Sequence, residues 1–194
     1  MHRRGARSPT RLAAAELLLA AHAAGRVAVV IGRASDFYGP GARQAVLGDG
    51  VFPVALAGRP ARVLGDVDQP HTLTYVEDFG RALVVLGAHA AAPGRVWHVP
   101  NPPTVTVRAF LALVYAAVGH PLRYRAAGST LVRALGLVSP ALRELRETVG
   151  WWERPYVVDD ATFRWAFGAD FGAPTPHTDA VRRTIAWYRG RPAA

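Results

Sequence analysis

An unbroken apolar pentad, Val27-Ala28-Val29-Val30-Ile31, precedes a polar run rich in turn formers, Arg33-Ala34-Ser35-Asp36-Phe37-Tyr38-Gly39-Pro40-Gly41. A strand covered by helices on both faces reads as a continuous apolar stretch rather than an alternating one. The pentad therefore predicts a doubly buried strand over residues 27–31, and the run behind it predicts the loop leaving the strand's carboxyl end. In an open parallel sheet that is where ligands sit, so Ser35 and Asp36 are expected at the mouth of a cleft with Ala34 beneath. Upstream, the apolar run over residues 12–24 is interrupted by Glu16 and His22. Ser8 stands as N-cap, Pro9 at the first helical position and Gly25 just past the end. These signals predict a helix over residues 9–24 rather than a targeting peptide.

Farther along, residues 54–56 and 62–64 flank Gly58-Arg59-Pro60 and predict a short hairpin. Residues 72–76 alternate, which predicts a half-exposed strand, and Asp78 is placed to N-cap a helix over residues 79–89. A strand is expected over residues 94–100. Thr106 then caps an apolar helix over residues 107–118 that Gly119 and Pro121 end. A basic helical stretch follows over residues 130–137 and 140–148. Residues 156–158 read as a short strand, Asp160 as the cap of a helix closed by Gly168, and Thr175-Pro176 as the start of a last helix through Tyr188.

The chain has 194 residues, 51% of them hydrophobic and 19% charged, which suits an ordinary globular core of one domain, or one and a fragment. Its net charge of +9 rests on 23 basic residues, every one an arginine. They are scattered, without the block of five or six that marks a nucleic-acid arm, so a small phosphate-bearing ligand is compatible and no nucleic-acid partner is expected. Cysteine is absent. That excludes disulfides and thiolate metal sites and suggests a reducing compartment, the cytoplasm. No apolar run approaches the ~20 residues of a membrane span. The seven histidines lack metal-ligand spacing, and no Gly-x-Ser-x-Gly elbow occurs.

The order helix, strand, R-A-S-D-F-Y-G-P-G resembles the middle of the extended short-chain dehydrogenase/reductases, the NAD-dependent epimerase/dehydratase family. Arg33, Ser35, Tyr38, Gly39 and Pro40 fall on its pattern, and Val76 and Asp78 match its Val-x-Asp element. Residues 97–101 and 151–155, with Asp159-Asp160, Phe167-Gly168, Thr175-Pro176 and Trp187, resemble a subgroup with unassigned substrates. The resemblance implies an α/β fold: an incomplete Rossmann-like, NAD(P)-binding sheet over residues 1–33, then a small α+β substrate domain over residues 34–194. It implies NAD or NADP as cofactor, with Ala34 and Ser35 lining the nicotinamide end. It also implies a small-molecule substrate, a secondary alcohol or carbonyl, contacted by Asp36, His71 and Arg154.

Asp36 stands where many sugar-nucleotide members carry an asparagine, and His71 where they often carry an arginine that grips a diphosphate. A carboxylate accepts hydrogen bonds but donates none, and a histidine lacks the bidentate fork, so a diphosphate substrate is disfavoured. Asp78 reads as structural, through its cap. The family's Gly-x-x-Gly-x-x-Gly turn and its Tyr-x-x-x-Lys pair do not occur, and the sequence contains no lysine. No catalytic residue is therefore assigned. The resemblance covers the C-terminal part of the family's length, as in a truncated product, a mis-assigned start or one half of a split protein. The expected partners are the substrate and either further copies of the chain or a complementary N-terminal half. The alternative is a non-catalytic binding or interaction protein that keeps the fold.

Overall fold

The computed structural model describes residues 7–128 and 149–190. The expected basic helices over residues 130–137 and 140–148 lie outside them. Helix α1 spans Arg7–Ala23 and ends at Gly25, whose φ of 68° lets its N–H turn back to the His22 carbonyl at 2.9 Å.

Strand β1 spans Ile31–Arg33, not residues 27–31, and Val27 is 48% exposed. The pairing explains this. β1 is parallel to β6 (Val96–His98), with Gly32 opposite Trp97. The Val29 carbonyl accepts from Gly94 N–H, Ile31 N–H donates to Arg95, and the Arg33 carbonyl accepts from Val99 N–H. Odd-numbered residues thus face β6, and the peptide groups of Val30 and Gly32 point to the other edge, where no described strand pairs. One face of the pair is covered by α3 (Val76–Ala88) and α5 (Ala161–Phe171). A Cβ at Gly32 would come within 2.9 Å of Leu83 Cδ2, so glycine here lets α3 lie close on the strand.

The polar run after β1 is not all loop. Asp36–Tyr38 forms β2, parallel to β5 (Leu73–Tyr75). β5 is buried throughout, not half-exposed, because its residues are packed on both sides. The expected hairpin is replaced by a short helix, α2 (Phe52–Leu56), which buries Phe52 and Ala55 three positions apart. β3 (Ala61–Leu64) pairs instead with β8 (Tyr124–Ala127), in parallel. β4 (Pro70–His71) is antiparallel to β7 (Val105–Thr106), and Tyr156 forms an isolated bridge to His71.

Helix α4 (Val107–Val118) is capped as its sequence predicts: Thr106 accepts from Ala109 N–H at 3.1 Å, and Gly119 takes φ 77°. Two other cap expectations fail. α3 starts at Val76 with Tyr75 as its N-cap residue, so Asp78 lies inside the first turn. The Asp160 side chain makes no cap bond to α5, and Asp159 accepts from Ala161 N–H instead. Helix α5 also runs through Gly168 to Phe171, with Gly172 as its C-cap, and α6 (His177–Arg189) follows Pro176.

Buried side chains form two clusters. The larger joins Tyr38, Phe52, Tyr75, Phe110, Tyr115 and Val181, from α2, α4, α6 and the strands between them. The other packs Leu86 and Trp97 against Phe163, Phe167 and Phe171 of α5. This is an α/β fold with an incomplete Rossmann-like parallel pair. Among the described residues no helix is long and apolar enough to cross a membrane.

Candidate functional site

The carboxyl end of β1 runs directly into a polar floor. Ser35 is buried; its N–H donates to Thr74 Oγ1 at 3.0 Å, and its hydroxyl donates to the Thr72 carbonyl. Thr74 Oγ1 in turn donates to Asn101 Oδ1 at 2.7 Å, and Asn101 Nδ2 donates to the Val99 carbonyl at 2.8 Å. Asp160 accepts from Asn101 N–H and from the Arg164 guanidinium, which also donates to the Asn101 carbonyl. Every member of this chain is satisfied, which is the condition under which a buried polar network fixes geometry. It ties together the ends of β1, β5 and β6 and the first turn of α5.

Asp36 and His71, predicted separately as ligand contacts, meet each other. His71 Nε2 donates to Asp36 Oδ2 at 2.7 Å, with the imidazole 2% exposed and the carboxylate 40% exposed. The imidazole lies parallel to Trp152 at 4.0 Å and against Tyr156 at 5.2 Å. Thr72 N–H donates to the Tyr156 carbonyl, and Tyr156 N–H to the Pro70 carbonyl, which clamps the strand carrying His71. The Tyr156 phenol is held above its ordinary value, first by burial and then by the Asp36 charge, with Arg33 pulling the other way. Arg154 is exposed, and no described contact links it to the pair. Ala34 is half-buried beside the second core cluster.

A cleft of about 640 Å³ opens beside β2, lined by Phe37, Pro40, Gly41, Arg43, Val76 and Phe79. Neither Ser35 nor Asp36 lines it. Successive strand residues point to opposite faces, so Asp36 and Phe37 look to opposite sides of β2. Arg43 is paired with Asp49 at 2.9 Å.

Sequence reasoning missed several of these residues. Trp152, part of the larger core cluster, and Tyr156, expected only within a short strand, form the wall behind His71. Asn101 carried one available signal, a lone amide directly behind an apolar strand. A second polar contact, Tyr38 with His177, is invisible in sequence. His177 Nε2 donates to the Pro103 carbonyl at 3.1 Å, so its Nδ1 accepts from the Tyr38 hydroxyl at 2.9 Å. Burial drives the His177 pKa down and the Tyr38 pKa up. Among the described residues no group of three acidic or histidine side chains could hold a metal ion.

Residues 8–99 match the family model described as NAD dependent epimerase/dehydratase family. No curated protein matches the chain significantly. Solved structures do. UDP-glucuronic acid 4-epimerase from Bacillus cereus, in complex with UDP-glucuronic acid and NAD, is similar at TM-score 0.73 and 16% identity, over 94% of this chain and 52% of its own. RMD from Pseudomonas aeruginosa, complexed with NADPH, is similar at TM-score 0.73 and 19% identity, over 98% of this chain and 57% of its own. dTDP-glucose 4,6-dehydratase from Bacillus anthracis, in complex with NAD, is similar at TM-score 0.71 and 17% identity, over 97% and 53%. At these identities the likeness is one of fold, and the chain spans about half the length of the structures it matches.

Proposed function

We propose, on the premise that residues 8–99 belong to the NAD-dependent epimerase/dehydratase family, that this chain is the substrate side of such a protein and does not catalyse hydride transfer alone. The observation that carries this reading is the β1–β6 parallel pair, which among the described residues has an open edge on β1 and leads at its carboxyl end straight to the Asp36–His71 pair. The family's cofactor is NAD or NADP, which when bound exchanges hydride with a secondary alcohol or carbonyl. Ala34 and Ser35 would border the nicotinamide end by shape, since the Ser35 N–H and hydroxyl are both engaged inside the protein. Asp36 and Arg154 would face the substrate, with His71 buried behind Asp36 and holding its carboxylate.

The groups that hold pyrophosphate and relay the proton are not in this sequence, which has no glycine-rich turn of the family type and no lysine. The open edge of β1 offers free backbone donors and acceptors to a further strand, supplied by a complementary N-terminal half or by another copy. The cysteine-free composition supports cytoplasmic residence as part of this reading. A second reading, a non-catalytic small-molecule-binding or interaction protein, is favoured by the same lack of lysine.

The test is titration of the purified 194-residue chain with NADH, followed by fluorescence, alongside sedimentation velocity. The expected result is no saturable signal and a self-associated sample. A micromolar dissociation constant on a monodisperse sample would overturn the proposal. Hydride transfer on mixing with a polypeptide that carries the glycine-rich turn favours the first reading. Ligand binding without turnover in that mixture favours the second.

A further inference from the structure

We propose that the outer face of α5 is a contact between two copies of this chain, in which Trp165 of each copy packs over Gly168 of the other. The contact is independent of the proposed function, because α5 lies over β6 and away from the open edge of β1.

A surface helix ordinarily turns one apolar stripe to the core and charged residues to solvent. Helix α5 has no such polar side. Phe163, Phe167 and Phe171 fill the second core cluster, and the opposite side presents Ala161, Trp165 and Gly168, with Gly172 at the C-cap and no charge among them. Trp165 is 88% exposed, more than any other large apolar side chain among the described residues. The positions 161, 165, 168 and 172 follow at the alternating four- and three-residue spacing by which one helix offers a seam to another. That spacing is symmetric about a point between Trp165 and Gly168. A second copy laid antiparallel across a two-fold axis at this point therefore sets Trp165 opposite Gly168 twice, and Ala161 opposite Gly172 twice. Large meets small at both central positions. Gly168 has room for a ring, since a Cβ built there would meet nothing within 4 Å.

Charge selects the occupant. The chain carries +9, so its arginine-bearing surface repels a second copy, and an acidic partner is drawn to the arginines rather than to a face without any. The charged side chains that flank the seam are already engaged within the chain, Arg164 with Asp160 at 2.6 Å and Asp170 with His89 at 3.2 Å. The two ends of α5 carry opposite signs. Asp159 accepts from Ala161 N–H at the first residue, and Arg81 donates to the Phe171 carbonyl at the last. The antiparallel arrangement brings the Asp159 end of one copy to the Arg81 end of the other and opposes the two helix dipoles. Two tryptophans and the surfaces they cover amount to about 800–1,000 Å², the low end for a specific pair, so the dimer is weak and reversible.

The experiment is sedimentation equilibrium on the whole chain up to about 200 μM, with a dissociation constant on the order of 10–100 μM expected for wild type. Trp165→Ala removes the ring and should weaken association by at least about tenfold. Gly168→Trp sets ring against ring and should do the same. Trp165 is exposed and Gly168 faces open space, so both variants keep the wild-type melting temperature within a few degrees. Combining Trp165→Ala with Gly168→Trp exchanges the large and small positions across the two-fold axis. The double variant should return to within about threefold of wild type, which a role confined to one chain would not produce. Three outcomes overturn the proposal: a wild type that stays monomeric throughout, association that Trp165→Ala leaves unchanged, or a double variant as weak as the single ones. None of them bears on the family reading, which is decided by the cofactor titration and the mixing experiment.

Discussion

Replacing Asp78 with alanine should cost far more than the loss of a helix cap. Asp78 is 1% exposed and accepts three hydrogen bonds: from Thr175 N–H at 2.7 Å, from Thr175 Oγ1 at 2.7 Å and from Arg81 Nη2 at 2.6 Å. Arg81 also donates to the Phe171 and Ala173 carbonyls and lies over the Phe171 ring at 4.6 Å, so the carboxylate is the centre of a clamp between α3 and the α5–α6 connection. A hydrogen bond to a charged group contributes about 1.5–3 kcal/mol. The two Thr175 bonds are made to a buried carboxylate and keep most of that value. The Arg81 bond counts for less, because that side chain is 46% exposed and water replaces its partner. The expected loss is about 3–4 kcal/mol, against about 1 kcal/mol for a cap.

Urea unfolding followed by tryptophan fluorescence measures it, with the m-value checking that the transition keeps its cooperativity. Asp78→Asn retains one acceptor for Thr175 N–H and should lose about half as much. Glu77→Ala, one residue earlier and paired with Arg183 at the surface, should change stability by no more than about 0.5 kcal/mol. A loss of 1 kcal/mol or less for Asp78→Ala at unchanged m-value would refute the clamp and restore the simple cap.

Two further predictions follow from the packing around the candidate site. Gly65 has φ +73°, and a Cβ there would sit 2.5 Å from Trp152 Cβ and the Trp152 carbonyl oxygen, so Gly65→Ala should cost about 2–4 kcal/mol and displace the ring that backs His71; an unchanged urea midpoint would contradict the contact. Burial holds the folded His177 pKa below its ordinary 6.5, so the unfolded chain binds a proton that the folded chain resists. The stability contributed at this site is complete above pH 6.5 and is lost as pH falls below it. His177→Gln should flatten that slope in a pH series of urea midpoints, and an identical slope in both proteins would exclude His177 as its source.

The parts of this protein that its sequence determined alone are those whose partners lie a few residues away. Thr106 finds Ala109 N–H three positions on, and Gly119 and Gly25 adopt the positive φ that ends a helix; these depend on backbone geometry and are the same in any surroundings. The R-A-S-D-F-Y-G-P-G run likewise pointed to the family, because its residue types are specific in order. The tertiary structure decided everything that joins distant segments. Asp36 and His71 were each singled out by the family resemblance, but that they bond to each other follows from pairings 35 residues apart. Asp78 reads as a cap in sequence and is a clamp in the fold because Thr175 arrives from 97 residues away. The apolar pentad promised burial on both faces; burial is a property of what covers a strand, and among the described residues β1 is paired on one edge. Local signals report what the chain's own backbone needs, whereas a buried charge, an ion pair or a covered sheet face is settled by whichever side chain the packing brings opposite it.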